Sequence, residues 1–162
     1  MKKKLTRWII IVFSLIFAVR VVTIMTADRL YSMSMAAKVG DIAPEQGVAY
    51  LNVATRLDST NAALYYQKYK ILHLLAKNEI RHTKYDIREQ QLHLLRRCIN
   101  LCPSWAQYHL LYALTAERLS TRPNIFTQQL ILSELEKATT LKPYSPMYKD
   151  IYQKYLSKDQ TK

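Results

Sequence analysis

The longest apolar stretch of the chain lies near its start. Residues 8–27 contain a single charged side chain, Arg20, among 20 mostly apolar positions. A helix of that length spans about 30 Å, which matches the hydrocarbon core of a bilayer. The pattern predicts a transmembrane helix over residues 8–27, followed by a juxtamembrane helix or linker over residues 28–44.

The side chains before this stretch predict its orientation. Lysine and arginine concentrate on the cytoplasmic side of a membrane span, and tryptophan favours the interface. The residues that carry this signal are Lys2, Lys3, Lys4, Arg7 and Trp8. We expect residues 1–7 to form a cytoplasmic basic tail of a single-pass inner-membrane protein. The domain after the span would then be periplasmic or otherwise extracytoplasmic.

Two questions about this segment stay open in the sequence. The uninterrupted apolar run, residues 8–19, is also of a length typical of a cleaved signal peptide. The anchor is favoured because Met25 stands where a cleavage site ending at Ala27 needs a small residue. Arg20 would cost about 2.5–3.5 kcal/mol near mid-bilayer. It would therefore snorkel to the far interface or pair with an acid in another protein's transmembrane helix.

A repeated apolar pattern follows the membrane segment. Three segments align without gaps, at residues 54–65, 98–109 and 138–149. Each contains a leucine at its fourth position, and apolar residues recur upstream at helical spacing. Proline follows this leucine by two residues in the second and third copies, at Pro103 and Pro143, and cannot continue the preceding helix without kinking it.

These signals predict an all-α fold after the membrane helix. Serines at the breaks supply helix N-caps, because Ser104 has a capping-box partner and Ser145 precedes a proline at the first helical position. A short polar tail, residues 158–162, ends the chain. The predicted helices cover residues 45–58, 62–77, 86–101, 105–119, 124–140 and 145–157.

The helix ends resemble those of the tetratricopeptide repeats. In that family the second helix closes with Ala-x-x-Leu-x-Pro, and the segments ending at Pro103 and Pro143 match it, with Cys98 in the alanine place of the earlier one. The resemblance covers residues 45–157 and implies a short solenoid of antiparallel helix pairs. Tyr69 departs from it, because the family prefers a small residue at that place.

The repeat period, 44 and then 40 residues, also exceeds the family's 34. We expect the additional residues to form longer bends at 77–86 and 120–124. A divergent, irregular solenoid describes this pattern best.

The resemblance further implies a concave groove that binds a partner protein or peptide. The residues at groove-lining positions are Tyr66, Lys70, His73, Gln107, Leu110, Glu117 and Arg118. Tyrosine beside positive charge suits an extended peptide that carries acidic groups or a C-terminal carboxylate. A plain solvated helix face is the competing interpretation. Other tyrosines recur at spacings of three or four residues, which indicates packing between helices.

Composition and charge narrow the function classes. Only 2 glycines occur, which argues against a β-rich fold, a P-loop or a Rossmann domain. Half of the net charge of +12 falls in residues 1–40, where a membrane explains it. We therefore expect no nucleic-acid partner, because an extracytoplasmic domain would not meet one.

The reactive residue types form no recognisable site. Cys98 and Cys102 lack zinc-ligand spacing, and a helical pair four residues apart is a strained geometry for a disulfide. Cys98 is better interpreted as a small buried packing residue. The four histidines follow no metal or nucleophile motif. We expect no catalytic residues, metal, cofactor or small-molecule substrate, and hence no enzyme.

The expected function is a membrane-anchored scaffold for protein–protein interaction. Similarity to repeats that accompany envelope and surface-polysaccharide assembly extends this expectation to such a machine. The alternative is an accessory subunit of an integral membrane enzyme complex, held through its transmembrane helix.

Overall fold

The structure is a computed structural model that describes residues 2–78, 81–120 and 125–159. Within these residues the chain forms seven α-helices and no strand, so the all-α prediction is confirmed. The helices divide between two compact units, Met1–Leu64 and Tyr65–Lys162. Their bounds are α1 Lys2–Val39, α2 Pro44–Leu57, α3 Ala62–Asn78, α4 Arg81–Leu101, α5 Ala106–Leu119, α6 Ile125–Leu141 and α7 Pro146–Asp159.

Some helix boundaries follow the chemistry of their end residues, although the N-cap of α5 is Trp105 and not the predicted Ser104, and it makes no side-chain capping hydrogen bond. Gly40 adopts a φ of +94° directly after α1, a conformation that suits a glycine at a helix C-terminus. Its N–H donates to the carbonyl of Ala36 at 3.1 Å. Pro44 and Pro146 are the first residues of α2 and α7, where the missing N–H of proline has no cost.

One predicted bend is wrong. The bend expected over residues 77–86 is largely helical, because α3 continues to Asn78 and α4 already begins at Arg81. This segment contains neither glycine nor proline, so nothing in it disfavours helix strongly. Of the second expected bend, only Ser120 belongs to the described residues, and residues 121–124 lie outside them.

The first unit is built from α1 and α2, which pack against each other. α1 is one helix from Lys2 to Val39, so it includes both the predicted membrane segment and most of the predicted juxtamembrane linker. The buried positions of this unit are mostly small, which lets two helix backbones approach closely. They include Ala27, Ser34, Ala37, Gly47, Leu51 and Ala54.

In the second unit, α4 packs against α5, α5 against α6, and α6 against α7. One apolar cluster forms its core. Its buried members are Ala106, Leu110, Ala113, Ala116, Ile131, Leu135, Ala138 and Tyr148. The alignment of the repeats explains this burial, because Cys98 and Ala138 occupy one repeat position and are both 0% exposed. Cys98 is therefore a buried packing residue, as predicted.

Candidate functional site

The predicted groove residues of α3 and α5 meet in one polar cluster, formed by Tyr66, Lys70 and Gln107. The Gln107 side-chain amide donates a hydrogen bond to the Tyr66 hydroxyl at 2.8 Å, which joins α3 to α5. The Lys70 ammonium lies 4.8 Å from the centre of the Tyr66 ring, within cation–π range. Burial raises the pKa of the Tyr66 phenol, so the hydroxyl stays protonated at neutral pH.

Aromatic rings extend from this cluster in both directions and form what we call the aromatic row. Trp105 contacts Tyr108 at 5.1 Å between ring centres, and Tyr108 contacts Tyr66 at 5.3 Å. Tyr66 stacks on Tyr69 at 6.0 Å, and Tyr69 on His73 at 6.2 Å. Trp105 is 50% exposed, whereas Tyr69 and Tyr108 are buried. The row thus offers partly exposed rings on a rigid, buried base.

A basic cavity of about 380 Å³ lies beyond the His73 end of the row. Its lining residues are His73, Ala76, Lys77, Arg88, Gln91, Thr115 and Arg118. Burial lowers the pKa of the His73 imidazole, and the charges of Arg118, Lys77 and Arg88 lower it further. His73 and Arg118 were predicted groove residues, and the structure brings them together here.

Sequence reasoning missed five of the seven described lining residues, among them Lys77, Arg88 and Gln91. Lys77 lies near the end of α3, while Arg88 and Gln91 lie on α4, the second helix of its pair. Family resemblance places groove residues on the first helix of each pair, so it did not indicate the residues of α4. The early start of α4 was also unexpected. The high density of basic residues around position 80 was the sequence signal that could have indicated this cavity.

Leu110 does not belong to an exposed groove. It is 5% exposed and lies in the core cluster with Ala113 and Ile131. Its apolar side chain gains more by burial between helices than by lining a solvated surface. Glu117, the remaining predicted groove residue, is partly buried on α5.

At the other end of the chain, Arg20 has a partner that the sequence did not suggest. Its guanidinium Nη2 lies 3.8 Å from Oδ1 of Asp58, the residue that follows α2. Asp58 also accepts hydrogen bonds from the backbone N–H and the hydroxyl of Thr60. Arg20 thus has an acidic partner within its own chain, and the two expected alternatives, snorkelling and pairing with another protein's helix, stay predictions.

The remaining residues of the predicted topology signal lie on α1. Trp8 is 67% exposed, as are most apolar side chains after it. The side chains of Lys2, Lys3, Lys4 and Arg7 lie outside the described ones. Trp8–Val39 is the one described segment that is long and apolar enough to cross a membrane by length and composition.

Neither metal nor thiol chemistry is evident in the part of the chain that the structure describes. No group of three or more histidine, cysteine or acidic residues there could hold a metal ion. Cys98 and Cys102 are free cysteines. Burial raises the pKa of the Cys98 thiol to about 12, which keeps it protonated and unreactive.

Comparison with known proteins places the fold. No protein-family profile and no curated protein sequence matches the chain. Among solved structures it is similar to the Arabidopsis OM64 TPR domain, with 14% identity and a TM-score of 0.62 over 82% of this chain and 96% of that one. It is similar to the first TPR of Spaghetti (RPAP3) bound to the HSP90 peptide SRMEEVD, with 12% identity and a TM-score of 0.64 over 86% and 96%.

A third similar structure is the Yersinia enterocolitica type III secretion chaperone SycD in complex with a peptide of the translocator YopD. It has 13% identity and a TM-score of 0.56 over 80% of this chain and 86% of that one. The chain therefore has the fold of tetratricopeptide-repeat domains, preceded by a long apolar helix.

Proposed function

We propose that this chain is a membrane-anchored scaffold whose helical repeats bind a partner protein or peptide along α3 and α5. The observation that carries the proposal is the polar cluster of Tyr66, Lys70 and Gln107. Its three side chains come from two helices and are held together by a hydrogen bond and a cation–π contact. Such a preorganised surface loses little side-chain entropy on binding.

Charge along this surface indicates what kind of peptide it binds. The polar cluster offers Lys70, and Arg118 adds a second positive charge farther along α5. An extended peptide with acidic side chains or a free C-terminal carboxylate complements this charge. Two of the similar structures hold peptides, which supports a peptide as the partner of this fold. The function is recruitment, and no catalytic step is part of it.

Exposed apolar surface on α1 supports the membrane anchor. Every large apolar side chain from Trp8 to Val22 is exposed, which is an apolar surface far larger than soluble proteins tolerate. We infer that this part of α1 crosses the inner membrane once. The basic residues 1–7 would lie in the cytoplasm and the repeats outside it, serving an envelope or surface-polysaccharide assembly machine. Anchoring raises the local concentration of the repeats near membrane partners.

Charge reversal in the polar cluster tests the binding surface. We expect Lys70→Glu in the full chain, held in detergent micelles, to weaken binding of acidic peptides from a peptide library by about tenfold or more. Fluorescence anisotropy measures the affinity. Lys149→Glu is the matched control, because Lys149 is exposed on α7 and its substitution changes the net charge by the same amount.

Two outcomes would contradict the proposal. One is that no acidic peptide in the library binds saturably. The other is equal affinity for the two variants while circular dichroism shows both folded. If native membrane partners instead co-purify with residues 1–40 alone, the chain is an accessory subunit held through its anchor, and the groove is not its binding element.

A further inference from the structure

Gln91 is a buried amide in the wall of the basic cavity. Its side chain is 2% exposed, and its Nε2 atom has no hydrogen-bond partner among the residues that the structure describes. A buried N–H donor without an acceptor is unfavourable, and native proteins rarely leave one so. The cavity beside it has room for roughly a dozen water molecules. Nε2 is itself closed off from solvent, so the amide has to turn toward the cavity before an acceptor group there satisfies this donor.

The charged residues that line the cavity are all basic among those that the structure describes. Lys77, Arg88 and Arg118 line it, and no acidic residue is among its described lining residues. No salt bridge involves these three cations within the described part of the chain. Their combined field acts on His73, since all three lower the pKa of its imidazole in addition to burial. The cavity therefore attracts an anion of more than one charge.

Arg88 is held in place before any ligand binds. Its Nη1 donates to the backbone carbonyl of Arg118 at 2.9 Å, which joins α4 to the end of α5. One of its five N–H donors is used in this bond, and the others remain for a ligand. Fixing a guanidinium in advance reduces the entropy lost when it binds an oxyanion.

A second cavity of the same unit shows that such a charge pattern is not general. It measures about 810 Å³ and is lined by Lys68 and Arg97 together with Asp86 and Glu89. This second cavity thus has as many acidic as basic side chains, so their charges cancel. Among the described lining residues of the basic cavity, no acidic side chain offsets the basic ones.

We propose that the basic cavity binds a phosphate group, either free or as the monoester of a small molecule. A phosphate group carries a charge of about −1.5 to −2 at neutral pH and at least three acceptor oxygens, which match several cations and one amide donor. A carboxylate has one charge and two oxygens, so it leaves part of the site unsatisfied. The volume of the cavity also exceeds what a single carboxylate fills.

This site is separate from the proposed peptide surface, although His73 and Arg118 border both. Its test therefore uses Arg88 and Gln91 on α4, which are not among the groove residues. Phosphate binding is measured without any peptide. The failure of one proposal thus leaves the other standing.

The experiment titrates the full chain in detergent micelles at constant ionic strength. The titrants are inorganic phosphate, glycerol phosphate and acetate, and the readout is backbone amide chemical shifts. We expect saturable shifts in α3, α4 and α5 with phosphate or its ester, at an affinity at least about tenfold above that of acetate. The tighter of the two phosphate titrants identifies the source.

Variants locate the binding in the cavity. We expect Arg88→Gln and Gln91→Leu each to weaken phosphate binding by about tenfold or more. Arg96→Gln is the control, because Arg96 is exposed on the same helix and lies outside the cavity. Circular dichroism checks that each variant is folded. Equal binding of acetate and phosphate overturns the proposal, as does an equal loss in the Arg96 variant or the absence of saturation.

Discussion

His109 is a buried histidine whose two ring nitrogens both face oxygen atoms. Nδ1 lies 2.6 Å from a carboxylate oxygen of Glu134, and Nε2 lies 2.8 Å from the carbonyl of Pro103. Both partners are oxygen atoms that accept hydrogen bonds. Glu134 also accepts a hydrogen bond from Lys137 at 2.8 Å. This cluster ties α5 to α6 and to the break before α5.

The Glu134 carboxylate makes the stability of the fold depend on pH. Burial alone would raise its pKa, but hydrogen bonds from Lys137 and His109 outweigh burial and hold the pKa below its ordinary value. A lowered folded-state pKa stabilises the fold at neutral pH, and this contribution is lost as the pH falls from about 5 through the folded-state pKa. We expect Glu134→Gln to flatten the acid side of the stability profile, measured by urea unfolding between pH 3 and 7.

Glu136→Gln is the control for this measurement. Glu136 is exposed on the same helix, two residues away, and its exposed side chain has no buried partner to lose. A profile that is equally steep in the wild type and the Glu134 variant would show that the cluster does not contribute.

At the level of single residues, the sequence predicted part of the candidate site. Tyr66, Lys70 and Gln107 were found because family positions on the first helix of each pair are fixed by the helical period. Arg88 and Gln91 were missed because their role depends on how α4 packs, which spacing alone does not contain. The prediction that Leu110 lines the groove was wrong, because a side chain at that repeat position faces either solvent or the core, depending on the residues around it.

Among the elements, the repeat position shared by Ala54, Cys98 and Ala138 shows why helix pairing was predictable. All three are 0% exposed, so each marks the place where its helix packs most closely. A small residue at a constant distance before a helix end is visible in the sequence. The start of α4 was not visible, because no glycine or proline marks it.

This close packing predicts how Cys98 tolerates substitution. We expect Cys98→Ala to cost at most about 1 kcal/mol, since alanine fills the same position in two other copies. Cys98→Leu should cost about 1–3 kcal/mol or more, because added methylenes have no space in a well-packed contact. Urea unfolding of the two variants measures both values. A leucine variant as stable as the wild type would contradict the packing described here.

On the scale of the whole molecule, the Arg20 and Asp58 pair limits how much of α1 is available to a membrane. The apolar side chains are exposed from Trp8 to Val22, and Ala27 is buried. The 12 apolar positions that precede Arg20, residues 8–19, span about 18 Å, less than the roughly 30 Å of a bilayer core. We expect the membrane to thin locally around this helix.

Cysteine labelling tests this boundary. In a background with Cys98 and Cys102 replaced by alanine, we expect Val12→Cys to be protected from a membrane-impermeant maleimide in intact spheroplasts. Asp28→Cys should react from the outside, and Lys4→Cys only after the inner membrane is permeabilised. Labelling of position 4 in intact spheroplasts would reverse the proposed orientation, and protection of position 28 would extend the span past the predicted end at Ala27.

The unbroken course of α1 from the predicted span to Gly40 has a mechanical consequence. A flexible tether would let the α1–α2 pair reorient freely. A continuous helix instead transmits the tilt of its membrane-spanning part to the part outside the membrane. From Val22 to Val39 the helix is about 25 Å long. At a tilt of about 20°, common for membrane helices, Val39 would shift sideways by about 9 Å. Because bilayer thickness affects the tilt of the helix, it would thus also change the position of α2 above the membrane surface.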